Sequence, residues 1–551
     1  MANVTAAEPD LRDLAGVPDH VHRRRWWALA VLSMSLVMIV MDNTILNVAL
    51  PHLSEALQAS TSQLQWIVDA YTIVFAGLLL TLGALGDRLG RRKALLAGLV
   101  IFAGGSAAAT FATTATWLIV TRGVMGVGGA LIMPSTLSIL ANVFRDPRER
   151  AKAISVWSAA SGIGIVAGPL LGGFLLNHFS WASVFWVNVP VALLMLGATI
   201  ALVPDSRAAD APRTDVAGVL LSTGGIVALL YGIIQAPEHG WTSVASVSAF
   251  VVAVVALAGF VAWELHTPAP MLDVRFFRNP RFSAANGAIT LAMFGMFGSL
   301  FLLSQFLQFV QGNDAFAAGV RMTPFAVGLA LGAPLGNLAD RRIGTKYTVS
   351  LGLAIAAIGL GSFVRLEADS SFAPLLVSIL VMSVGMGLVF GPATESVMGS
   401  LPPERAGVGS AINDTTRELG GALGVAVIGS AMSSAYTHHV VDALRGIDLP
   451  AGAGVAVERS LAGALAVARQ AGGDAGAGIA DAARQAFVAG MHRGVVIGAV
   501  AVALAALAAL VFLPARARLG SVRVITTGRP LSETVTDDLD DADDLAFGLP
   551  A

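Results

Sequence analysis

The sequence predicts an all-α integral membrane protein with fourteen transmembrane helices. The chain is 55% hydrophobic and only 13% charged, whereas a soluble globular domain carries about 25% charged residues. Its mean hydropathy is +0.74. Apolar runs of roughly 20 residues, the length that crosses about 30 Å of hydrocarbon, recur along the chain. A soluble core cannot hide this much apolar surface, so the predicted solvent is the bilayer.

The predicted spans follow one another with short polar connections. They cover residues 27–49, 64–85, 94–113, 116–140, 152–176, 182–203, 216–235, 243–264, 282–310, 320–340, 347–364, 373–399, 407–433 and 492–513. A turn over residues 237–240 separates the seventh span from the eighth. An even number of spans places both chain ends on the same side of the membrane.

The basic residues predict which side that is. Arg23, Arg24 and Arg25 precede Trp26 and Trp27, a typical inner-interface anchor. The first span is longer than a signal-peptide core and lacks a cleavage site, so we expect it to be retained. With the N-terminus inside, inner segments hold about 25 of the 34 basic residues. We therefore expect a multi-pass protein of the cell (inner or plasma) membrane with both termini in the cytoplasm.

The polar segments outside the spans carry few signals. Residues 1–25 are predicted to be a cytoplasmic N-tail. A loop over about 434–490 lies outside, where residues 454–487 form either short surface helices or a flexible spacer. The cytoplasmic tail over 514–551 carries six aspartates between positions 537 and 544. Such an acidic run is typically solvated, and we assign it no function.

Several chemistries are excluded. The absence of cysteine removes disulfides, thiolate metal sites and cysteine nucleophiles. No phosphate-binding G-x-x-x-x-G-K-[ST] loop, H-E-x-x-H or G-x-S-x-G pattern occurs. A net charge of −2 gives no indication of a nucleic-acid partner. The sequence thus predicts no cofactor, no metal ion and no enzyme activity.

Ionisable residues within spans are the most informative, because each costs about 2.5–3.5 kcal/mol at a helix centre on insertion scales. Counting from the span ends at about 1.5 Å per residue, Asp42, Asp69 and Arg122 lie at similar depth in the outer half. One arginine and two carboxylates at one level can share a cavity, where the arginine favours the ionised acid. We predict that Asp42 carries protons, with Asp69 as a second candidate. The alternative is a static, charge-neutralising pair.

A second group lies in the inner half. Glu395 is near the inner end of its span, and Asp414, Arg417 and Glu418 follow in the next span. We expect these residues to form a polar cluster. Its function is either a second proton site or recognition of a cationic substrate, and the alternative is an ion-paired gate between helices without proton traffic.

Two glycine patterns indicate close helix packing. The first closes the second span on the inner side and includes Gly83, Gly86, Asp87, Arg88, Gly90 and Arg91. A degraded copy over 332–344 also ends a span on the inner side, which indicates an internally repeated transporter with parallel halves. The second pattern lies within the fifth span, where Pro169 kinks the helix among glycines. It includes Gly164, Gly168, Pro169, Gly172 and Gly173.

Five motifs together resemble one family, the fourteen-helix drug:proton antiporter branch of the major facilitator superfamily, or QacA/EmrB-like exporters. The segment 42–51 resembles the first-helix signature of that branch, and 181–190 resembles a further mark of the fourteen-span group. Segment 83–93 resembles the loop motif between helices two and three, 122–129 the fourth-helix arginine motif associated with proton transfer, and 164–173 the antiporter motif of the fifth helix. The resemblance covers roughly residues 26–513.

The resemblance implies two six-helix bundles with a substrate cavity between them. They would occupy 26–203 and 282–513, with two extra helices in the linker 204–281. It also implies alternating access by a rocker-switch motion, driven by inward proton flow. The second-half acids do not match the motifs residue by residue, so their roles are not carried over.

The ninth span is rich in methionine and phenylalanine, which make an adaptable apolar wall. We predict that Asn47, Met293, Phe294, Phe297 and Gln305 line the substrate cavity; the alternative is that the ninth-span side chains face lipid or pack against neighbours. The predicted function is proton-coupled export of lipophilic or cationic drugs by a monomer. The alternatives are a transporter with another task, such as export of one endogenous metabolite or self-made antibiotic or translocation of lipids or peptides, and a sensor without turnover. A membrane-embedded enzyme is a further alternative, which the missing catalytic motifs disfavour.

Overall fold

The computed structural model describes residues 19–144, 146–207, 215–268, 270, 272–401, 406–445 and 453–514. Most of the predicted N-tail 1–25 and nearly all of the acidic tail 514–551 lie outside the described residues. Fourteen helices in the described ranges are long and apolar enough to cross a membrane. The predicted all-α fold class with fourteen spans is confirmed.

The helices follow in chain order. They are α1 Asp19–Leu57, α2 Thr61–Leu89, α3 Arg91–Ala109, α4 Ala115–Val143, α5 Pro147–His178, α6 Ser183–Trp186, α7 Asn188–Leu202, α8 Val216–His239, α9 Val244–His266, α10 Pro280–Gln305, α11 Ala315–Ile343, α12 Thr345–Gly361, α13 Phe372–Met398, α14 Ala406–Ala443, α15 Ala453–Arg459, α16 Leu461–Ala471 and α17 Gly473–Phe512. The short α6 and α7 together make the sixth span. A single turn of wider helix, Phe306–Val310, extends α10.

The helix ends define two faces of the bundle. The face at which α1 begins carries Arg25, Arg91, Arg275 and Arg341 and is called the arginine-rich face below. The face at which α1 ends carries α15 and α16 and is called the opposite face. Helices α1 to α7 pack into one half, and α10 to α14 with α17 pack into the other.

Small residues bring the helices of the first half together. A side chain at Gly126 of α4 would lie 2.6 Å from the carbonyl oxygen of Tyr71 in α2. A side chain at Gly128 would lie 2.7 Å from the backbone nitrogen of Phe102 in α3. Helix α4 therefore approaches both neighbours at backbone distance, as small residues permit in membrane bundles. This packing fixes the position of Arg122, which lies one turn before Gly126.

The two extra helices lie beside the junction of the halves. Helix α8 packs against α2 of the first half and α14 of the second. An apolar cluster joins Ile73 of α2 to Leu230 and Ile234 of α8 and Ala426 of α14. Helix α9 packs on α8 and exposes a row of valines, including Val251 and Val254, on its outer side. The insert is thus part of the interface between the halves.

The two halves meet near the opposite face. Helix α5 packs on α11, where a side chain at Gly173 would lie 2.6 Å from the carbonyl oxygen of Ala315. Gly319 of α11 packs in turn on the backbone of Pro169. Helix α2 packs on α14, where Gln65 donates to the carbonyl of Val425 at 2.9 Å. These contacts close the bundle at the opposite face.

The helices extend beyond the predicted spans. Helix α14 continues to Ala443, and α17 begins at Gly473, not near residue 492 as predicted. The predicted outer loop 434–490 thus contains α15, α16 and the first half of α17. A hydropathy pattern finds only the apolar part of a helix, whereas backbone hydrogen bonding continues through its polar turns. Residues 453–471 form the short helices α15 and α16, and Arg469 of α16 is 3.0 Å from Glu55 of α1. Residues 473–487, also expected in short helices or a spacer, belong instead to the long α17.

We expect Gly173→Val to weaken the contact between α5 and α11. The added side chain meets the backbone of α11, so the substitution will disfavour the conformation that is closed at the opposite face. The chain has no cysteine, so a single cysteine at the cavity residue Asn47 can report access. We expect an impermeant maleimide added at the opposite face to label Asn47→Cys faster in the Gly173→Val background.

Gly162→Val is the matched control, because Gly162 lies on the same helix with nothing within 4 Å of an added Cβ atom. It should leave the labelling rate unchanged. Equal rates in the Gly162→Val and Gly173→Val backgrounds would show that the contact with α11 does not control closure.

Candidate functional site

A cavity of about 350 Å³ lies between the two halves, between the closed opposite face and the arginine-rich face. Side chains of α1, α4 and α5 form one wall, and side chains of α10, α11, α13 and α14 form the other. The polar lining residues are Asn43, Thr44, Asn47, Ser161, Thr323, Thr394, Asn413, Asp414, Arg417 and Glu418. The remaining lining is aliphatic, aromatic or methionine. An apolar cavity with a few polar groups is the usual form of a small-molecule site.

Asp42 lies behind the first wall. Successive side chains of a helix are rotated by about 100°, so Asn43 and Asn47 line the cavity while Asp42 points into the first half. Its side chain is fully buried. The predicted cavity residue Asn47 is therefore in the lining, and the predicted proton carrier is one helical position away from it.

Asp42 and Arg122 form a buried ion pair. The Nη1 atom of Arg122 donates to Oδ2 of Asp42, and both side chains are buried. The guanidinium also donates from Nε to the carbonyl of Ile67 at 3.2 Å and stacks over the Tyr71 ring at 4.5 Å. Its Nη2 atom has no hydrogen-bond partner in the described structure. A buried charge is tolerated when it is paired in this way.

Asn188 completes the surroundings of Asp42. Its Nδ2 atom donates to Oδ1 of Asp42 at 2.7 Å and to Oγ of Ser106 at 3.2 Å. Asn188 lies within the segment 181–190, and no role was predicted for it. A neutral amide carries no charge penalty in a span, so it does not stand out among the ionisable residues.

Asp69 is buried but lies apart from this pair. Its side chain is fully buried, and neither carboxylate oxygen has a hydrogen-bond partner among the described residues. One helical turn separates it from Gln65 on one side and from Ile73 on the other. Both of those residues contact α14, so Asp69 faces the junction of the halves. Asp69 and Arg122 lie at similar depth, but the structure does not bring their side chains together.

The acids of α14 face the cavity, unlike Asp42 and Asp69. Asp414, Arg417 and Glu418 all line the cavity and are half-buried. The guanidinium of Arg417 lies over the Phe390 ring, 5.2 Å from its centroid. The second half therefore carries the charges that face the cavity, whereas the first half contributes uncharged amides and hydroxyls.

Glu395 does not join this group. It is exposed on α13 and interacts electrostatically with Arg281 at the start of α10. Arg281 also donates to Oγ of Ser396 at 3.1 Å. The expected four-residue cluster is therefore divided: Asp414, Arg417 and Glu418 face the cavity, and Glu395 lies at the arginine-rich end. The position of a residue along a span predicts its depth in the membrane but not the direction in which its side chain points. The sequence therefore could not separate Glu395 from the other three residues.

The apolar wall comes partly from the ninth span. Met293 and Phe297 line the cavity, together with Met296 and Leu300. Phe294 is buried instead against α14, where its backbone packs on Gly424. Gln305 is buried and donates to the carbonyl of Phe301 in its own helix at 3.2 Å. Sequence spacing alone did not separate the cavity-facing residues of α10 from those that pack within the second half.

The first glycine pattern forms a tight connection at the arginine-rich face. Arg91 donates to Oδ1 of Asp87 at 2.6 Å and to the carbonyl of Ser138 at 3.4 Å, so it ties α2 to α4. Gly90 has a φ of +117°, which only glycine adopts without strain. Gly83 packs on Pro134 of α4 and Gly86 on Ala94 of α3. Arg88 is exposed.

The second glycine pattern lies between α1 and α11. Gly164, Gly168 and Gly172 face α1, and a side chain at Gly168 would lie 2.9 Å from the backbone nitrogen of Ile45. Thr44 donates to the carbonyl of Gly164 at 3.1 Å. Pro169 lines the cavity, and Gly173 faces α11. One stretch of α5 therefore touches both the helix that carries Asp42 and the helix that closes the opposite face.

The chain is similar in sequence to proteins named for drug efflux or resistance. It is 35% identical to the multidrug efflux pump LfrA of Mycolicibacterium smegmatis, over 88% of this chain and 95% of the relative. It is 34% identical to the tetracenomycin C resistance and export protein of Streptomyces glaucescens, over 75% and 76%. It is 33% identical to the methyl viologen resistance protein SmvA of Salmonella typhimurium, over 84% and 93%.

Solved transporters have the same fold. A bacterial homologue of the human lysosomal transporter Spinster, in an inward-facing and unoccupied conformation, matches with a TM-score of 0.62 at 19% identity, over 89% of this chain and 98% of that one. An auto-inhibited POT family peptide transporter matches with a TM-score of 0.59 at 18% identity, over 89% and 96%. Residues 32–425 also match the sequence profile of the Major Facilitator Superfamily. The chain therefore belongs to the major facilitator superfamily.

Proposed function

We propose that this chain exports small lipophilic or cationic molecules, drugs and antibiotics among them, in exchange for protons. The observation that carries the proposal is the buried pair of Asp42 and Arg122 directly behind the cavity wall. An ionisable pair at this depth is expensive and is kept where it has a function. Relatives named as a multidrug efflux pump and a methyl viologen resistance protein support the substrate class.

The pair can act as a proton-dependent switch. In the ionised state, Arg122 holds Asp42 and the surrounding helices α1, α2 and α4 together. A proton on Asp42 removes its negative charge and leaves the buried cation of Arg122 without a counter-ion. Because an unpaired buried charge is strongly unfavourable, protonation favours a conformation in which Arg122 finds water or another partner. This is how proton binding changes the balance between two conformations.

The cavity supplies recognition. Met293, Phe297 and other apolar side chains can adapt to several shapes, and the second wall carries two acids, Asp414 and Glu418, against one base, Arg417. A lipophilic cation satisfies both features. Asp414, Glu418, Asp69 and Glu395 are proposed as further proton-coupling candidates, and Asn47 as a polar contact to the substrate.

The proposed orientation rests on the distribution of the basic residues. Lysine and arginine concentrate at the arginine-rich face, so the positive-inside rule assigns that face and both termini to the cytoplasm of a cell membrane. The cavity then loads from the inside, and rocking of the halves about the contacts of α5 with α11 and of α2 with α14 exposes it to the outside. We propose that a monomer in the lipid bilayer performs this cycle as a transporter and not as an enzyme.

The proton gradient is sufficient for export. One inward proton gains about 2.3 kcal/mol per 100 mV of membrane potential and about 1.4 kcal/mol per unit of pH difference. This energy sustains accumulation without nucleotide hydrolysis.

A dedicated exporter of one antibiotic or metabolite is the second candidate. Relatives include proteins named for tetracenomycin C, puromycin and methylenomycin A. Uptake of a panel of structurally unrelated aromatic cations by one preparation separates the two candidates, because only a multidrug exporter transports several of them.

Asp42→Asn tests the coupling. The amide cannot gain or lose the proton, so we expect the variant to bind ethidium with unchanged affinity but not to accumulate it against a gradient. The measurement is ethidium transport in proteoliposomes under an imposed pH difference. Equal accumulation by wild type and variant would refute a coupling role for Asp42 and direct the search to Asp69 and Glu395.

Asp414→Asn tests cation recognition. Losing a charged partner costs about 1.5–3 kcal/mol, so we expect the KM for ethidium to rise roughly ten- to hundredfold. Transport of an uncharged lipophilic substrate should change little. The matched control is Glu367→Gln, which removes an exposed acid in the connection between α12 and α13 and should leave both substrates unaffected. If the control raises KM as much as Asp414→Asn, the cavity position of Asp414 is irrelevant to recognition.

A further inference from the structure

We propose that Asn188 is a positioning residue for Asp42, which holds the carboxylate oxygen that Arg122 does not contact and so favours the ionised acid. The inference rests on the proposed proton coupling and adds to it a neutral residue that sets the pH range of the exchange. No ionisable group is required at position 188 for this role.

The local sequence places Asn188 at the right point. Val187 joins the single turn of α6 to the start of α7 and keeps right-handed helical backbone angles. Asn188 is the first residue of α7, and Pro190 follows within the first helical turn, where its missing N–H leaves no hydrogen bond unmade. The amide is fully buried, with Nδ2 at 2.7 Å from Oδ1 of Asp42.

The hydrogen-bond network fixes the direction of this contact. Ser106 has one hydroxyl proton and donates it to the carbonyl of Phe185 at 2.8 Å, so its oxygen must accept from Asn188. An ionised Asp42 only accepts. Both neighbours therefore require the NH2 group of Asn188, and a rotated amide would face two acceptors with its own oxygen.

The amide oxygen of Asn188 also indicates that the amide is oriented to donate to Asp42. The Oδ1 atom of Asn188 is buried without a hydrogen-bond partner among the described residues. Leaving an acceptor unpaired is unfavourable, yet the amide adopts the orientation in which its NH2 group donates to Asp42. The amide is thus held for its donor group. A hydrogen bond to the charged form of an acid stabilises that form.

The other groups around Asp42 come from several helices. Arg122 of α4 is its ion-pair partner, and Tyr71 of α2 is within electrostatic range of Asp42, Arg122 and Glu418 of α14. Helix α5 presents glycines to α1 here, and α3 contributes Ser106, which contacts Asn188. In the described structure, Oδ1 of Asp42 receives its hydrogen bond from Asn188. Removing the amide leaves the pair with Arg122 in place and alters only the balance between the two protonation states.

The test is the pH dependence of ethidium transport in proteoliposomes, with ethidium binding measured in parallel. Asn188→Leu has a similar volume but no donor, so the protonated acid should persist to higher pH. We expect the pH of half-maximal transport to rise by roughly one to two units, the equivalent of one hydrogen bond to a charged group. The ethidium Kd should stay at the wild-type value, because Asn188 is outside the cavity lining.

Two further variants make the result specific. Asn188→Asp is isosteric and adds a second carboxylate beside Asp42, so like-charge repulsion should raise the midpoint further; this variant decides the matter if Asn188→Leu does not fold. Asn47→Leu is the matched control, an α1 asparagine that lines the cavity and donates to Asn43 in its own helix. It should change the Kd but not the midpoint.

The outcomes separate the inference from the proposed function. If wild type transports with a defined midpoint and folded Asn188 variants keep that midpoint, the role of Asn188 is refuted and proton coupling stands. If Asn47→Leu shifts the midpoint as much as Asn188→Leu, the effect is not specific and the inference also fails. If wild type shows no transport driven by a pH difference, the proposed function fails and the inference fails with it.

Discussion

The pairing of one carboxylate with one guanidinium inside a helical bundle constrains the whole first half of this molecule. Neither Asp42 nor Arg122 can remain charged in hydrocarbon unless the other is within hydrogen-bond distance. That requirement fixes the distance between α1 and α4, and Arg122 extends it to α2 through the carbonyl of Ile67. The glycines that flank the pair on α4 and α5 allow the helices to approach closely enough. The cavity wall of α1 is held in place as a consequence.

The two glycine patterns of the sequence both lie where helices of the first half contact their neighbours. The glycines of α5 contact α1, the helix that carries Asp42, on one side and α11 at the closed face on the other. At the other end of the bundle, the contact of Arg91 with Asp87 and Ser138 ties α2 to α4. The first half can therefore move as one body. The insert α8 and α9 adds contacts to both halves where α2 meets α14.

The fold was predictable because membrane insertion leaves a strong one-dimensional signal. Runs of apolar residues gave the number of spans, and the polar turns of α14 and α17 escaped detection because they lack that signal. For the candidate site, the sequence predicted the depth of each residue in the membrane but not the direction of its side chain. Depth counting brought Asp42 and Arg122 to one level, but it could not show that Asp69 faces another helix or that Phe294 turns away from the cavity. Asn188 left no signal because an uncharged amide is inexpensive in a span.

The two walls of the cavity differ in a way that bears on how such transporters diversify. The buried acid Asp42 is on α1, behind a wall of uncharged side chains, and the charges that face the cavity are on α14. The apolar wall of α10 can therefore be altered without touching Asp42, Arg122 or Asn188. Under the proposed function, substitutions in this wall change the range of exported compounds while the contacts among α1, α4 and α7 stay as they are. Recognition of a new compound then requires no change in the buried pair that is proposed to bind the proton.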